Sequence, residues 1–176
     1  ALGAALNLTA KLDGGEGDDV LWIDLAGSGG RVEAFVDAGA GNDTVRVNTM
    51  TVDGYVGVSG PTTVEGGDGD DDISIFADGG GPDLPGAFNH AIVNGGAGND
   101  RFVFDDDDAG RDRIVDFTFG EDRIDLDDFD DIGFQQVISG AQQVGDDVLF
   151  TFEPGYRVLV DNTTVSQFDS GDFLFG

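Results

Sequence analysis

The chain of 176 residues holds no cysteine, one histidine, one methionine, one tryptophan, and only eight lysines and arginines together. The missing cysteine excludes a disulfide scaffold and every thiolate metal site, which leaves oxygen as the plentiful metal donor and so points to hard cations. The single histidine, His90, stands in a Pro/Gly-rich connection, with no second His or Cys for a zinc site and no zincin motif. It reads as surface or packing rather than chemistry. Eight scattered basic residues cannot form the basic face that a phosphate backbone requires, so nucleic acid is excluded as a partner, and anionic membrane surfaces are disfavoured for the same reason. No apolar run reaches the ~20 residues of a membrane-spanning helix, so no membrane insertion is expected. The opening stretch Ala1–Leu6 lacks the basic region and apolar length of a signal peptide. The absence of an initial Met fits a chain excised from a longer one.

What the chain has in excess is acid. Asp and Glu number 36, giving a formal net charge of -28, and self-repulsion at that level opposes compaction unless cations are taken up. Yet 39% of the residues are hydrophobic and 14 are Phe, too apolar a composition for an acidic disordered tail. A foldable core and a repulsive charge in one chain point to folding that is conditional on an ion. The length suits one domain, or one repetitive body with a small end-piece.

One unit recurs four times: Leu12 to Asp19, Val36 to Asp43, Val64 to Asp71 and Val93 to Asp100, each reading apolar, acid or amide, Gly/Ala, Gly, any, Gly, Asp/Asn, Asp. The closing Asp residues are 24, 28 and 29 positions apart, a spacing that suits one wide coil per motif. After each motif comes an alternating strand, which places Leu21, Val45, Ile73 and Phe102 in one inward column and Ile23, Val47, Ile75 and Phe104 in a second. Leu12, Val36, Val64 and Val93 form a third column, with Ala10, Ala34, Thr62 and Ala91 two positions earlier. A single coil cannot bury its apolar face, whereas stacked coils bury a continuous one. The connections 26–30, 53–61 and 77–86 differ in length and are rich in Gly and Pro, which marks them as surface loops.

Gly-Gly-x-Gly-x-Asp turns allow positive φ and let several carbonyl oxygens point at one spot. Two such turns stacked ~4.8 Å apart surround an ion with ~6–8 oxygens, which is the preference of calcium; magnesium demands a tighter octahedron. Without an ion, Asp19, Asp43, Asp71 and Asp100 form a ladder of like charges, a destabilising arrangement. Four turns leave three gaps, so at least three calcium ions are expected. The stretch Asp68–Asp72 lacks the sixth-position Gly and twelfth-position Glu of an EF-hand.

Residues 12 to 104 resemble the repeats-in-toxin family, whose glycine-rich repeat binds calcium in a parallel β-helix. The resemblance implies an all-β, right-handed parallel β-roll with wide coils over residues 1–105, followed by a small C-terminal β cap and secretion-signal region over 106–176. It carries over ligand roles to Gly14, Glu16, Gly17 and Asp19; to Ala38, Ala40, Gly41 and Asp43; to Gly66, Asp68, Gly69 and Asp71; and to Gly95, Ala97, Gly98 and Asp100. Gly15, Gly39, Gly67 and Gly96 match the turn as well. Ala38 departs from the Gly pattern and is expected to constrain the backbone of the second turn. By resemblance, Asp112, Asp116, Asp122 and Asp125 form a further site, with a salt-bridged surface around Arg111, Arg113 and Arg123 as the alternative. Residues 108–126 look like the segment that follows such repeats, 148–160 reads as a hairpin, and the acidic, aromatic end Phe168–Phe175 is similar to type I secretion targets.

The resemblance implies a bacterial protein, secreted or at the cell surface, whose partners are calcium and the type I secretion machinery, with an extracellular polysaccharide or cell-surface partner in view. Any catalysis is expected in an N-terminal domain outside this chain. Two alternatives remain: a polysaccharide-binding or polysaccharide-modifying parallel β-helix, and a calcium-stiffened adhesin spacer. Carboxylates are so abundant here that a glycosidase-like pair says little. Ser28, Ser59, Ser74, Ser139, Ser166 and Ser170 sit in no nucleophile elbow, and Trp22, Tyr55 and Tyr156 are isolated aromatics. Loops 26–30 and 77–86 would shape a groove in an enzyme and lie flat in a module.

Overall fold

The computed structural model describes residues 8–27, 32–51, 59–76, 91–104, 111–129, 131–152 and 156–176. The expectations about His90, Tyr55, Ser28, residues 108–110, the turn 153–155, the loop 77–86 and most of the connections 26–30 and 53–61 lie outside the described residues.

Alternating apolar positions build two sheets that face each other across one core. The first strand of each coil enters an eight-stranded sheet: β1 (Leu8–Glu16), β3 (Val32–Ala40), β5 (Ser59–Asp68), β7 (Ala91–Ala97) and β9 (Arg111–Ile114) run parallel in that order. The second strand of each coil enters a six-stranded parallel sheet: β2 (Val20–Gly27), β4 (Thr44–Thr51), β6 (Asp72–Phe76), β8 (Arg101–Phe104) and β10 (Arg123–Leu126). This is a parallel β-roll, with the glycine-rich turns joining one sheet to the other. The stacking is in register: Leu12, Val36, Val64 and Val93 pair in line, as do Leu21, Val45, Ile73 and Phe102.

Neither sheet breaks at residue 105. Val93 pairs on with Ile114 and then Val160, and Phe102 with Ile124 and then Phe173. A sixth coil is thus formed by β13 (Arg157–Val160) and β14 (Phe173–Phe175), both parallel to the strands before them. Between the fifth and sixth coils the chain adds helix α1 (Phe134–Gly140), β11 (Gln142–Val144) and β12 (Asp147–Thr151), the last pairing antiparallel with β13 as a hairpin. That hairpin turns the far edge of the larger sheet from parallel to antiparallel.

The core changes along the stack. Early coils are filled by Ala34, Val36, Val45, Val47 and Val64, all essentially buried. The C-terminal end is aromatic: the Phe150 ring lies 5.0 Å from Phe168 and 5.6 Å from Phe173, and Phe104 lies 5.8 Å from Tyr156. Large rings pack together at this end of the roll. In the first coil Leu12 and Leu21 are only half-buried, Val20 is 79% exposed and Trp22 66% exposed. Among the described residues no helix is long and apolar enough to cross a membrane.

Phe102 sits where the repetitive core meets the aromatic end, with its ring 6.3 Å from Phe117. Phe102→Ala is expected to cost about 3–5 kcal/mol in denaturant unfolding of the folded chain, while Val144→Thr, at a position 48% exposed, should change the midpoint little.

Candidate metal centres in the stacked turns

In every Gly-Gly-x-Gly-x-Asp turn, counted from its first Gly or Ala, the second and fourth positions hold positive φ, for instance Gly67 at 113° and Gly69 at 135°. A Cβ at Gly67 would also collide with the Gly39 carbonyl of the coil beneath, so conformation and close stacking both demand glycine there. The first position differs. None of Gly14, Ala38, Gly66 and Gly95 is among the positive-φ residues, so Ala38 imposes no backbone strain on the second turn, contrary to expectation. Its methyl is fully buried.

Hydrogen bonds tie the turns rung to rung. Gly17, Gly41 and Gly69 N–H donate to the carbonyls of Ala40, Asp68 and Ala97 at 2.7 to 2.8 Å. The closing aspartates form a ladder: Asp19 N–H donates to Asp43 Oδ1 and Asp43 N–H to Asp71 Oδ1, both at 2.8 Å, and Asp71 N–H to Asp100 Oδ1 at 3.0 Å. A second ladder, which the sequence reading passed over, runs the opposite way on the outer side. Asn42 N–H donates to Asp18 Oδ1, Asp70 N–H to Asn42 Oδ1 and Asn99 N–H to Asp70 Oδ1, each at 2.8 Å. The Asp/Asn alternation at the fifth motif position was its signal.

The inner ladder uses one carboxylate oxygen of Asp43, Asp71 and Asp100. Asp19, Asp43, Asp71 and Asp100 each keep Oδ2 buried with no hydrogen-bond partner, and a buried, unpaired carboxylate oxygen is costly. In the first, third and fourth turns these oxygens face space left by the first glycine, Gly14, Gly66 and Gly95. A Cβ on Gly66 would lie 2.6 Å from Asp71 Oδ2 and collide with the Gly95 carbonyl; one on Gly14 would lie 3.0 Å from Asp19 Oδ2 and collide with the Ala38 carbonyl. Oxygens from two successive coils therefore border one small space. Among the described residues no three His, Asp or Glu side chains gather to hold a metal. The donor set is instead backbone carbonyl plus a single carboxylate per turn, hard oxygen throughout, which fits a hard divalent cation.

The electrostatics record the same shortage of positive charge. Burial pushes the Asp71 carboxyl up to about 6, with the Asp43 and Asp70 charges adding to the effect. Burial pushes Asp100 up to about 7, reinforced by Asp122, Asp71 and Asp116.

The fifth coil ends the pattern. Asp122 Oδ1 accepts from Asp100 N–H at 3.1 Å, continuing the ladder, but its Oδ2 accepts from Thr118 N–H at 2.7 Å. Asp116 accepts from Gly95 and Gly96 N–H at 3.0 and 2.8 Å, capping the fourth turn. Asp112 points inward and accepts from Ala91 N–H and the Tyr156 hydroxyl, while Asp125 is paired with Arg101. The structure does not bring these four carboxylates together. Of the salt-bridge alternative, Arg113 does form an ion pair, with Asp161, while Arg123 donates to the carbonyls of Glu121 and Asp122.

Among protein families, the one described as Peptidase M10 serralysin C terminal matches residues 9–161. No curated protein matches the chain. Among solved structures the chain is similar to the extracellular lipase LipA from Serratia marcescens, at 12% identity and a TM-score of 0.44, over 100% of this chain and 41% of that one. The chain thus spans less than half the length of that lipase.

Both raised carboxyls bind protons more tightly in the folded chain than in the unfolded one. Their contribution to the metal-free fold is full below the ordinary carboxylate pKa and is lost as pH rises through about 6 to 7. The metal-free chain should therefore show more β-sheet circular dichroism at pH 5 than at pH 8; the opposite order would contradict this assignment of the buried acids.

Proposed function

Because the chain belongs to the Peptidase M10 serralysin C-terminal family, we propose that it is the calcium-binding β-roll region of a secreted bacterial protein. It folds as calcium is taken up outside the cell and supports type I secretion of a larger parent protein. The observation that carries the reading is the column of four buried carboxylate oxygens without partners, at Asp19, Asp43, Asp71 and Asp100.

The residues that would hold calcium are these aspartates together with backbone carbonyls of the turns: Gly14, Glu16 and Gly17; Ala38, Ala40 and Gly41; Gly66, Asp68 and Gly69; Gly95, Ala97 and Gly98. When bound, calcium supplies the positive charge that keeps stacked carboxylates ionised. The proposal places at least three ions in the three gaps between turns, taking the formal charge from -28 to about -22 and leaving an acidic, soluble exterior. The chain's own part is to hold the donors in register. Positive-φ glycines aim the carbonyls, and the aspartate ladder fixes one carboxylate oxygen so that the other faces inward. Magnesium is disfavoured, since it dehydrates reluctantly and needs a near-ideal octahedron. The parent protein's activity is placed outside this chain.

Far-UV circular dichroism after chelation tests the reading: calcium at ~10⁻⁴–10⁻³ M, the range of extracellular modules, should restore β signal cooperatively, and magnesium should not. A chain fully folded in chelator and indifferent to calcium would sink it. Asp71 accepts from Asp43 N–H and donates its own N–H to Asp100, so it borders two gaps. Asp71→Ala should raise the calcium midpoint roughly tenfold, on the scale of a lost hydrogen bond to a charged group, whereas exposed Asp146→Ala should leave it in place.

A further inference from the structure

The outer face of the larger sheet breaks the acidic character of the chain. Across β7, β9, β13 and β12 the outward residues Ile92, Arg113, Leu159 and Leu149 stand in one row, with Arg111 and Arg157 paired in the row beside it. Together with Ala91 and Asp112 they line a cavity of about 410 Å³. Three of the eight basic residues of a chain with net charge -28 are gathered here. The nearby acids are Asp112, Asp161 and Asp147, the last two acting on Arg113. Asp161 is bound by Arg113 through Nε at 2.7 Å and a terminal nitrogen at 2.6 Å. Asp112 spends its oxygens on Ala91 N–H and the Tyr156 hydroxyl, and burial raises its pKa to about 7. Among the described residues no carboxylate pairs with Arg157.

We propose that this groove binds a small anionic amphiphile, its apolar chain lying over Ile92, Leu149 and Leu159 and its single carboxylate head against the Arg157 guanidinium. Three observations select that chemistry. The acidic surface repels an anion, whereas the groove offers it the Arg157 guanidinium, which pairs with no carboxylate among the described residues. The remaining lining is aliphatic, so the anionic group must bring an apolar body; an acidic peptide would set further charges over leucine and isoleucine with no donors to meet them. The volume falls within the range of small-molecule sites, which are mostly apolar with a few placed polar groups. A neutral lipid would leave Arg157 unused.

The test uses the full ¹⁵N-labelled chain, folded at millimolar calcium, titrated separately with sodium octanoate, 1-octanol and hexaglutamate. It needs only a folded chain, so its outcome is separate from whether calcium drives folding. Octanoate should give saturable shifts confined to the amides around Ile92, Arg113, Leu149 and Leu159. Binding should weaken at least tenfold in Arg157→Gln, and 1-octanol should bind at least tenfold more weakly than octanoate. Should Arg157→Gln fail to fold, Leu149→Asn serves as the second variant, with the same expected loss. Absence of saturation, equal binding of 1-octanol, indifference to the substitution, or tighter binding of hexaglutamate would each overturn the proposal.

Discussion

The constraint on which this structure turns is the stacking of carboxylates at strand spacing inside the roll. Asp43, Asp71 and Asp100 each accept from the backbone N–H of the preceding rung's aspartate, and all four closing aspartates leave Oδ2 buried and unpaired. Like charges one rung apart repel, and desolvation strengthens that repulsion. The same in-register pairing that buries the Val and Ile columns also forces the aspartates into line, so the apolar core and the electrostatic conflict cannot be separated. The proposed cation between the rungs would resolve that conflict without disturbing the register.

The two ends of the stack show how the conflict is bounded. At the fifth coil the chain keeps a ladder aspartate, Asp122, but satisfies its free oxygen with Thr118 N–H, and it spends Asp116 on the glycine N–H groups of the fourth turn. Beyond that point aromatic packing takes over from carboxylate stacking: Phe117, Phe150, Phe168 and Phe173 close the roll. The antiparallel β11–β12 hairpin extends the larger sheet past β13 and leaves the three-residue β11 as its edge strand, a very short edge being one way to blunt edge pairing. At the other end β1 and β2 are edge strands with half-buried Leu12 and Leu21.

Charge is sorted by face as well as by position. Acid fills the turns, while Arg111, Arg113 and Arg157 collect on the outer face of the larger sheet because alternation sends them outward where Asp112, Ile114, Val158 and Val160 point in. Pairing of separate strands then turns residues far apart in the chain into one basic, apolar groove.

The sequence by itself determined the repeat, the parallel β-roll, the four inward columns and the four aspartates, because each rests on a local period: two along a strand and one motif per coil. It also showed the hairpin over 148–160. It did not determine that the roll runs on through β9, β10, β13 and β14, since those coils lack the glycine motif and join by long-range pairing alone. It misjudged Ala38, because only the folded turn reveals that positive φ is required at the second and fourth positions and not at the first. Asp112, Asp116, Asp122 and Asp125 were joined in one site only by resemblance, and strand alternation and the turn between strands send them to different partners. The unpaired oxygens and the arginine groove were decided by tertiary structure, for a physical reason: both depend on which atoms of neighbouring coils meet, and no single coil contains that information.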